Sequence, residues 1–327
     1  MDRSDRFSLF AWATLVYTGL VAVWGAYVRA TGSGAGCGNH WPLCNGEVLP
    51  RAPAIETIIE FSHRLSSGLL GIVVIVLAVW AVRRYGWSHR VGRAALVALA
   101  LTVVEALVGA ALVRYDLVVD NVSVARGVVM AFHLVTTLLL LGSLALTAAW
   151  STGGHSPQGG QPFGPPRLRG QGAAAWILLA GLIALCVLGA SGGVTALGDT
   201  LYPVADMNAT SISQLAPAAQ LLVRLRVLHP FLAIAVGIYL VTAAALVRIL
   251  RPRPLVVRLA LGLALLFTVE LLFGILNVAL AAPVWLQLVH LGTAYAVWLN
   301  LVLLAAAALS EGAPRAPFAG GRGHRPG

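Results

Sequence analysis

The chain has 327 residues, 59% of them hydrophobic and only 10% charged, with a mean hydropathy of +0.86. A soluble domain carries about 25% charged residues, so this composition excludes a water-soluble globule. The net charge of +10 is distributed as expected for membrane topology rather than for a basic binding patch, which excludes nucleic acid as a partner.

Long apolar runs in such a chain are spans of about 20 residues crossing a hydrocarbon layer of about 30 Å. Lipid cannot satisfy backbone donors, and the runs are too long and too little alternating for barrel strands, so they are read as helices. The first predicted span is Phe7–Val28. The few residues before it leave no room for a cleaved leader, so it is expected to act as an uncleaved anchor. A loop with Cys37 and Cys44 follows, then a span over Thr57–Val82 that opens with Glu60-Phe61-Ser62-His63-Arg64. The third span, Ala94–Val113, carries Glu105; the fourth, Ser123–Trp150, carries Arg126 and His133. Residues 151–172 are rich in Gly and Pro and form an expected linker. The fifth span is Ala173–Ala196, and the sixth, Leu221–Val247, holds Arg224, Arg226, His229 and Pro230. The seventh, Leu259–Ala281, carries Glu270, and the eighth, Val284–Leu309, carries His290. A tail over 310–327 has the composition of a disordered segment.

All 22 basic residues are arginines. Placing both termini in the cytoplasm puts fifteen of them on the cytoplasmic side, which is the orientation the positive-inside rule selects. Arg29, Arg51, Arg64, Arg114, Arg126, Arg224 and Arg226 fall instead near the outer helix ends, where an anionic group such as a lipid headgroup or a haem propionate would account for them.

The chain repeats itself. Val28-Arg29-Ala30-Thr31-Gly32-Ser33 returns as Val194-Thr195-Ala196-Leu197-Gly198-Asp199, an offset of 166 that also relates His63 to His229. Val104-Glu105-Ala106-Leu107-Val108-Gly109 returns as Val269-Glu270-Leu271-Leu272-Phe273-Gly274, and His133-Leu134-Val135-Thr136 as His290-Leu291-Gly292-Thr293. The fold class is therefore an all-α integral membrane protein of eight spans in two tandem four-helix bundles, residues 1–150 and 173–309. An even number of spans per copy implies a pseudo-twofold axis along the membrane normal.

Of the eight histidines, His40 lies in an outer loop and His89, His155 and His324 in cytoplasmic segments. His63, His133, His229 and His290 lie on alternate spans at similar depth below the outer surface. Two imidazoles on facing helices can grip a flat metal macrocycle from both sides. Histidines bonded to neighbouring helices are the plainer reading, and zinc a third, though structural zinc calls for four clustered ligands. Glu60, one turn before His63, is either an acid at a haem edge or an interfacial acid favoured by the helix dipole. Mid-span Glu105 and Glu270 are costly to bury and serve either function or a bond to a nearby histidine. Cys37 and Cys44 face an oxidising compartment, where a disulfide is the simplest state; staple and redox relay both remain open. Cys186 is an apolar packer.

The outer loop with Cys37 and Cys44, the Glu60-x-x-His63-Arg64 run, His133 and the repeated His229 and His290 together resemble haem A synthase. The resemblance implies an oxidoreductase that converts the C8 methyl of haem O to the formyl group of haem A by successive hydroxylations, assisted by a haem b cofactor. By similarity His63 and His133 would ligate haem O, His229 and His290 haem b, and Glu60 would act at the reacting edge. Arg64, Arg126, Arg224 and Arg226 would meet propionates, and Cys37–Cys44 would be the outer-loop pair. Implied partners are the haem O synthase and cytochrome oxidase assembly proteins, in the plasma membrane; a homo-oligomer is compatible with the sequence. One departure is Pro230, where arginine often follows the histidine; it is expected to kink the span near Arg226. The alternative is a dihaem b-type electron-transfer cytochrome oxidising quinol, which would be expected to hold its haems near opposite membrane faces.

Overall fold

The computed structural model describes residues 3–119, 121–152, 163–164, 170–202 and 217–310. Most of the predicted linker, the tail from residue 311, His155 and His324 lie outside the described residues. Eight long helices follow one another: α1 (Arg3–Ala30), α2 (Ile55–Tyr85), α3 (Arg90–Arg114), α4 (Val124–Ser151), α5 (Ala173–Leu201), α6 (Pro217–Leu250), α7 (Pro254–Ala279) and α8 (Val284–Ala308). All eight are long and apolar enough to cross a membrane, so the protein is a multi-pass membrane protein. Each coincides with a predicted span, differing by a few residues at the ends. The helices start where backbone chemistry directs: His89 and Ser123 accept the N–H groups of Val91 and Arg126 as side-chain caps, and Pro254 opens α7 without wasting a donor. Gly86, at φ 84°, ends α2 in a conformation that other residues rarely adopt.

The helices α1–α4 pack as a ring of sequential neighbours closed by α1 against α4, and α5–α8 pack likewise, closed by α5 against α8. The two units meet through α1 and α4 on one side and α5 and α8 on the other. Exchanging α1 with α5, α2 with α6, α3 with α7 and α4 with α8 leaves this set of neighbours unchanged.

In lipid, helix association rests on close packing and interhelical hydrogen bonds rather than on the hydrophobic effect. The seam follows that rule. Small and aliphatic residues of α4 (Leu141, Ala145, Ala148) and α8 (Leu301, Leu304, Ala307) are buried, while Leu69, Ile72, Leu107, Ile238 and Leu265 point outward. Trp298 of α8 donates its indole N–H to the Leu138 carbonyl of α4 at 2.5 Å, and a Cβ on Gly142 would stand 3.3 Å from that nitrogen. Helix α6 runs through Pro230 without interruption; the proline has no N–H to return to the Arg226 carbonyl.

Candidate functional site

Helices α2, α4, α6 and α8 all begin at the end of the molecule that carries the Cys37–Cys44 loop. Their histidines sit within about three turns of those starts. The expected couples are His63 with His133 and His229 with His290. His63 interacts electrostatically with His133, and His229 with His290.

Each couple is held from behind, and the carboxylates that do it are the mid-span pair. Glu105 of α3 places Oε2 at 3.1 Å from His133 Nδ1, and Glu270 of α7 places Oε1 at 3.1 Å from His290 Nδ1. A carboxylate at Nδ1 fixes the ring's orientation and tautomer, leaves the Nε2 lone pair to a metal and makes it more basic. Thr136 and Thr137 hydroxyls donate to the two oxygens of Glu105, the latter at 2.8 Å. The corresponding Glu270 keeps Oε2 buried with no hydrogen-bond partner among the described residues. His229 is held differently, by the Ser191 hydroxyl of α5 at 2.8 Å from Nδ1. Glycines crowd three of the rings: a Cβ on Gly25 would lie 2.9 Å from His63 Cε1, on Gly192 3.0 Å from His229 Cε1, and on Gly274 3.4 Å from His290 Cε1. Side chains there would occupy the space beside the imidazoles. Among the described residues no three His, Cys, Asp or Glu side chains cluster to hold a metal ion.

Glu60 is buried, 4% exposed, and both its oxygens are engaged. Oε2 accepts the Cys37 N–H at 2.8 Å, while Oε1 accepts from Arg64 Nε at 3.0 Å and Nη2 at 2.5 Å. Arg64 continues outward, donating from Nη1 to the His40 and Leu43 carbonyls at 2.5 and 2.6 Å. Cys37 and Cys44 are disulfide-bonded. The acid–arginine pair thus clamps the disulfide loop onto the start of α2, one turn from His63. Gly36 permits this contact, since a Cβ there would meet the Glu56 carbonyl at 2.5 Å.

The remaining predicted arginines have protein partners or face outward. Arg126 is buried and donates to the Val119 and Asn121 carbonyls at 2.5 and 3.0 Å. Arg226, which occupies the place of Glu60 in the second copy, pairs with Asp199 at 2.6 Å and donates to the Gly198 and Tyr202 carbonyls. Arg224 is exposed. Arg29 was legible only as an arginine on the wrong side for topology. It crosses the seam to donate to Ala196 O at 2.7 Å, Thr200 Oγ1 at 2.6 Å and Gln287 Oε1 at 2.9 Å. Ser191, Thr136 and Thr137 gave no signal in the sequence beyond their place within the repeat.

These features define a polytopic membrane protein of two four-helix rings, each carrying two histidines towards the end that holds the disulfide loop. The chain belongs to the cytochrome oxidase assembly protein family (COX15-CtaA), whose model matches residues 8–302. A Thermus thermophilus protein named protoheme IX farnesyltransferase is 53% identical over 311 residues, covering 95% of this chain and 50% of that protein. The heme A synthase of Halalkalibacterium halodurans is 40% identical over 154 residues, 46% of this chain and 49% of that protein. That of Alkalihalophilus pseudofirmus is 44% identical over 110 residues, 34% and 37% of the respective chains. The chain spans about half the length of the curated relatives it matches. The likeness to haem A synthase drawn from the residues is borne out at the level of the family.

Proposed function

We propose that the chain is a haem A-forming oxidoreductase that takes haem O as substrate and oxidises its C8 methyl to a formyl group by successive hydroxylations. The observation that carries this is the set of four histidines near one end of the helices, three of which have a carboxylate or hydroxyl oxygen close to Nδ1. Among the described residues Nε2 of all four has no hydrogen bond, so each is free to meet iron. His63 and His133 would hold haem O, and His229 and His290 a resident haem b. The glycines let three of the rings pack directly against α1, α5 and α7. When bound, the haem b supplies a one-electron redox centre.

The chain's own residues orient the substrate and manage charge. Glu105 positions the His133 ring, and Glu60 with Arg64 holds the disulfide loop over the first couple. Glu60 is the nearest carboxylate to His63 along α2 and is the group to accept a proton from attacking water. Doing so requires it to release Cys37 N–H or Arg64. Arg64, Arg126, Arg224 and Arg226 lie towards the same end and would meet propionates, the last three beside the helix starts that carry His133 and His229. The two rings of four helices, with their exchangeable neighbour relations, support a division into a substrate unit and a cofactor unit about a pseudo-twofold axis.

The arginine bias supports a plasma-membrane protein with both termini in the cytoplasm and the imidazole couples toward the outer face. The Thermus relative, twice as long and named for protohaem farnesylation, supports a working partnership with the haem O synthase that makes the substrate. Oxidase assembly proteins would receive the product. Chromatography of the pigments extracted from purified protein tests the reading. Haem O or haem A is expected beside haem b; haem b alone, with no haem O converted on addition, would favour the electron-transfer cytochrome.

A further inference from the structure

The two imidazole couples are not held alike. In the second unit both rings are anchored at Nδ1, His290 by Glu270 and His229 by Ser191. The Ser191 hydroxyl has one proton, and it lies 2.8 Å from the Leu188 carbonyl, to which it donates. With that proton on Leu188 O, the hydroxyl is left to accept from His229 Nδ1, the tautomer that keeps the Nε2 lone pair available. In the first unit only His133 is anchored, through Glu105. His63, His133 and His290 all keep Nδ1 buried without a hydrogen bond among the described residues, but His133 and His290 each have a carboxylate oxygen at 3.1 Å, whereas His63 has no such neighbour and lacks the hydroxyl that His229 has. The repeat explains why: three residues before Val28 and Val194, the position that supplies Ser191 in the second copy is Gly25 in the first. No hydroxyl is available there, and a Cβ would already crowd the His63 ring.

An imidazole with no partner at Nδ1 is held by packing alone and is a weaker donor than one backed by a carboxylate or hydroxyl. Loss of such an outer partner typically lowers metal affinity about 10- to 100-fold. We propose that His63 is the releasable iron ligand of the molecule, and that Ser191 is the positioning residue that makes the second site a permanent one. This rests on the haem-binding reading given above. With a haem bound there, release would break the bond between iron and His63 Nε2, the imidazole would keep its electron pair, and His133 would remain to hold the iron. The first site can then admit and discharge a haem while the second retains its own. A site that must turn over a macrocyclic substrate needs one ligand of this kind; a cofactor site does not.

The test uses the full chain in detergent, loaded with two equivalents of haem b so that both sites hold the same macrocycle. Transfer to excess apomyoglobin is expected in two phases of equal amplitude. Carbon monoxide added after reduction is expected to bind half of the haem. Ser191→Ala should accelerate the slow transfer phase about tenfold or more, leave the fast phase unchanged and bring the second haem into reaction with carbon monoxide. Ser191→Thr, which keeps the hydroxyl, should restore the slow phase. Two haems leaving at one rate, or a slow phase indifferent to Ser191→Ala, or a threonine variant as fast as alanine, would overturn the assignment while leaving haem binding itself intact. Failure to take up haem at all would overturn both.

Discussion

The clamp between Glu60 and the disulfide loop offers the most direct physical test of the site. Replacing Glu60 with Gln keeps the shape but removes the charge that accepts from Cys37 N–H and from two Arg64 nitrogens. Hydrogen bonds to a charged group are worth about 1.5–3 kcal/mol each, and the pair is nearly enclosed, with side-chain exposures of 12% for Arg64 and 5% for Glu60. Removing one partner of such a pair outright costs about 3–5 kcal/mol. For the isosteric change, loss of the charged bond at Cys37 alone corresponds to about a ten- to hundredfold faster exchange of that amide. Hydrogen-exchange mass spectrometry on peptides covering residues 36–49 reads this directly. Arg64→Gln should loosen the same peptides, because it frees the His40 and Leu43 carbonyls, yet it leaves a carboxylate at position 60. Comparing haem O conversion in the two variants then separates holding from proton transfer: both lose the clamp, and only Glu60→Gln loses the base. Unchanged protection of the loop in Glu60→Gln would refute the clamp, and unchanged conversion would refute the chemical role.

Three further outcomes follow from the geometry. Glu105→Gln and Glu270→Gln should each weaken haem retention at their own couple about 10- to 100-fold, measured by haem content after gel filtration. The effect should be larger at Glu270, whose second oxygen lacks the threonine donors that surround Glu105. Arg29→Gln removes three links across the seam and should lower the thermal midpoint in detergent, whereas the exposed Arg51→Gln should leave it within error. Gly36→Ala places a methyl 2.5 Å from the Glu56 carbonyl, so the turn must shift. A cost of about 1–3 kcal/mol and partial loss of the Cys37–Glu60 bond are expected, read as faster exchange of the same loop peptides.

The eight spans and the four imidazoles were legible because both are carried by strong local signals. A stretch of about 20 apolar residues needs no tertiary information to be read as a crossing, and histidine within one is conspicuous. The pairing was legible through the repeat. The anchors were harder. Glu105 and Glu270 stood out as buried acids, but their link to His133 and His290 depends on how α3 turns toward α4 and α7 toward α8, which hydropathy does not encode. Ser191 was invisible: a serine in an apolar helix is ordinary, and only its rotation toward α6 gives it a purpose. Glu60 was picked out for its place one turn before His63, but its bond to Cys37 joins residues 23 apart through a folded loop. The arginines were singled out for lying on the side where topology wants few. Three of the four assigned to propionates also bond to carbonyls or carboxylates of the protein, contacts made largely by irregular chain that no periodicity announces.

Arg29 gives the duplicated architecture a direction. Its counterpart in the second copy is Thr195, whose hydroxyl turns inward to the Leu225 carbonyl of its own half. The guanidinium grip between the halves is therefore one-sided: Arg29 of the leading half reaches, and the trailing half supplies the carbonyl, hydroxyl and amide, while deeper in the seam Trp298 of the trailing half answers to the Leu138 carbonyl. Two leading halves set face to face would oppose guanidinium to guanidinium, and two trailing halves would lack the guanidinium altogether. Whatever symmetric ancestor gave rise to this chain, its descendants have become mutually obligate, and severed halves expressed together should find the unlike mate and refuse their own kind.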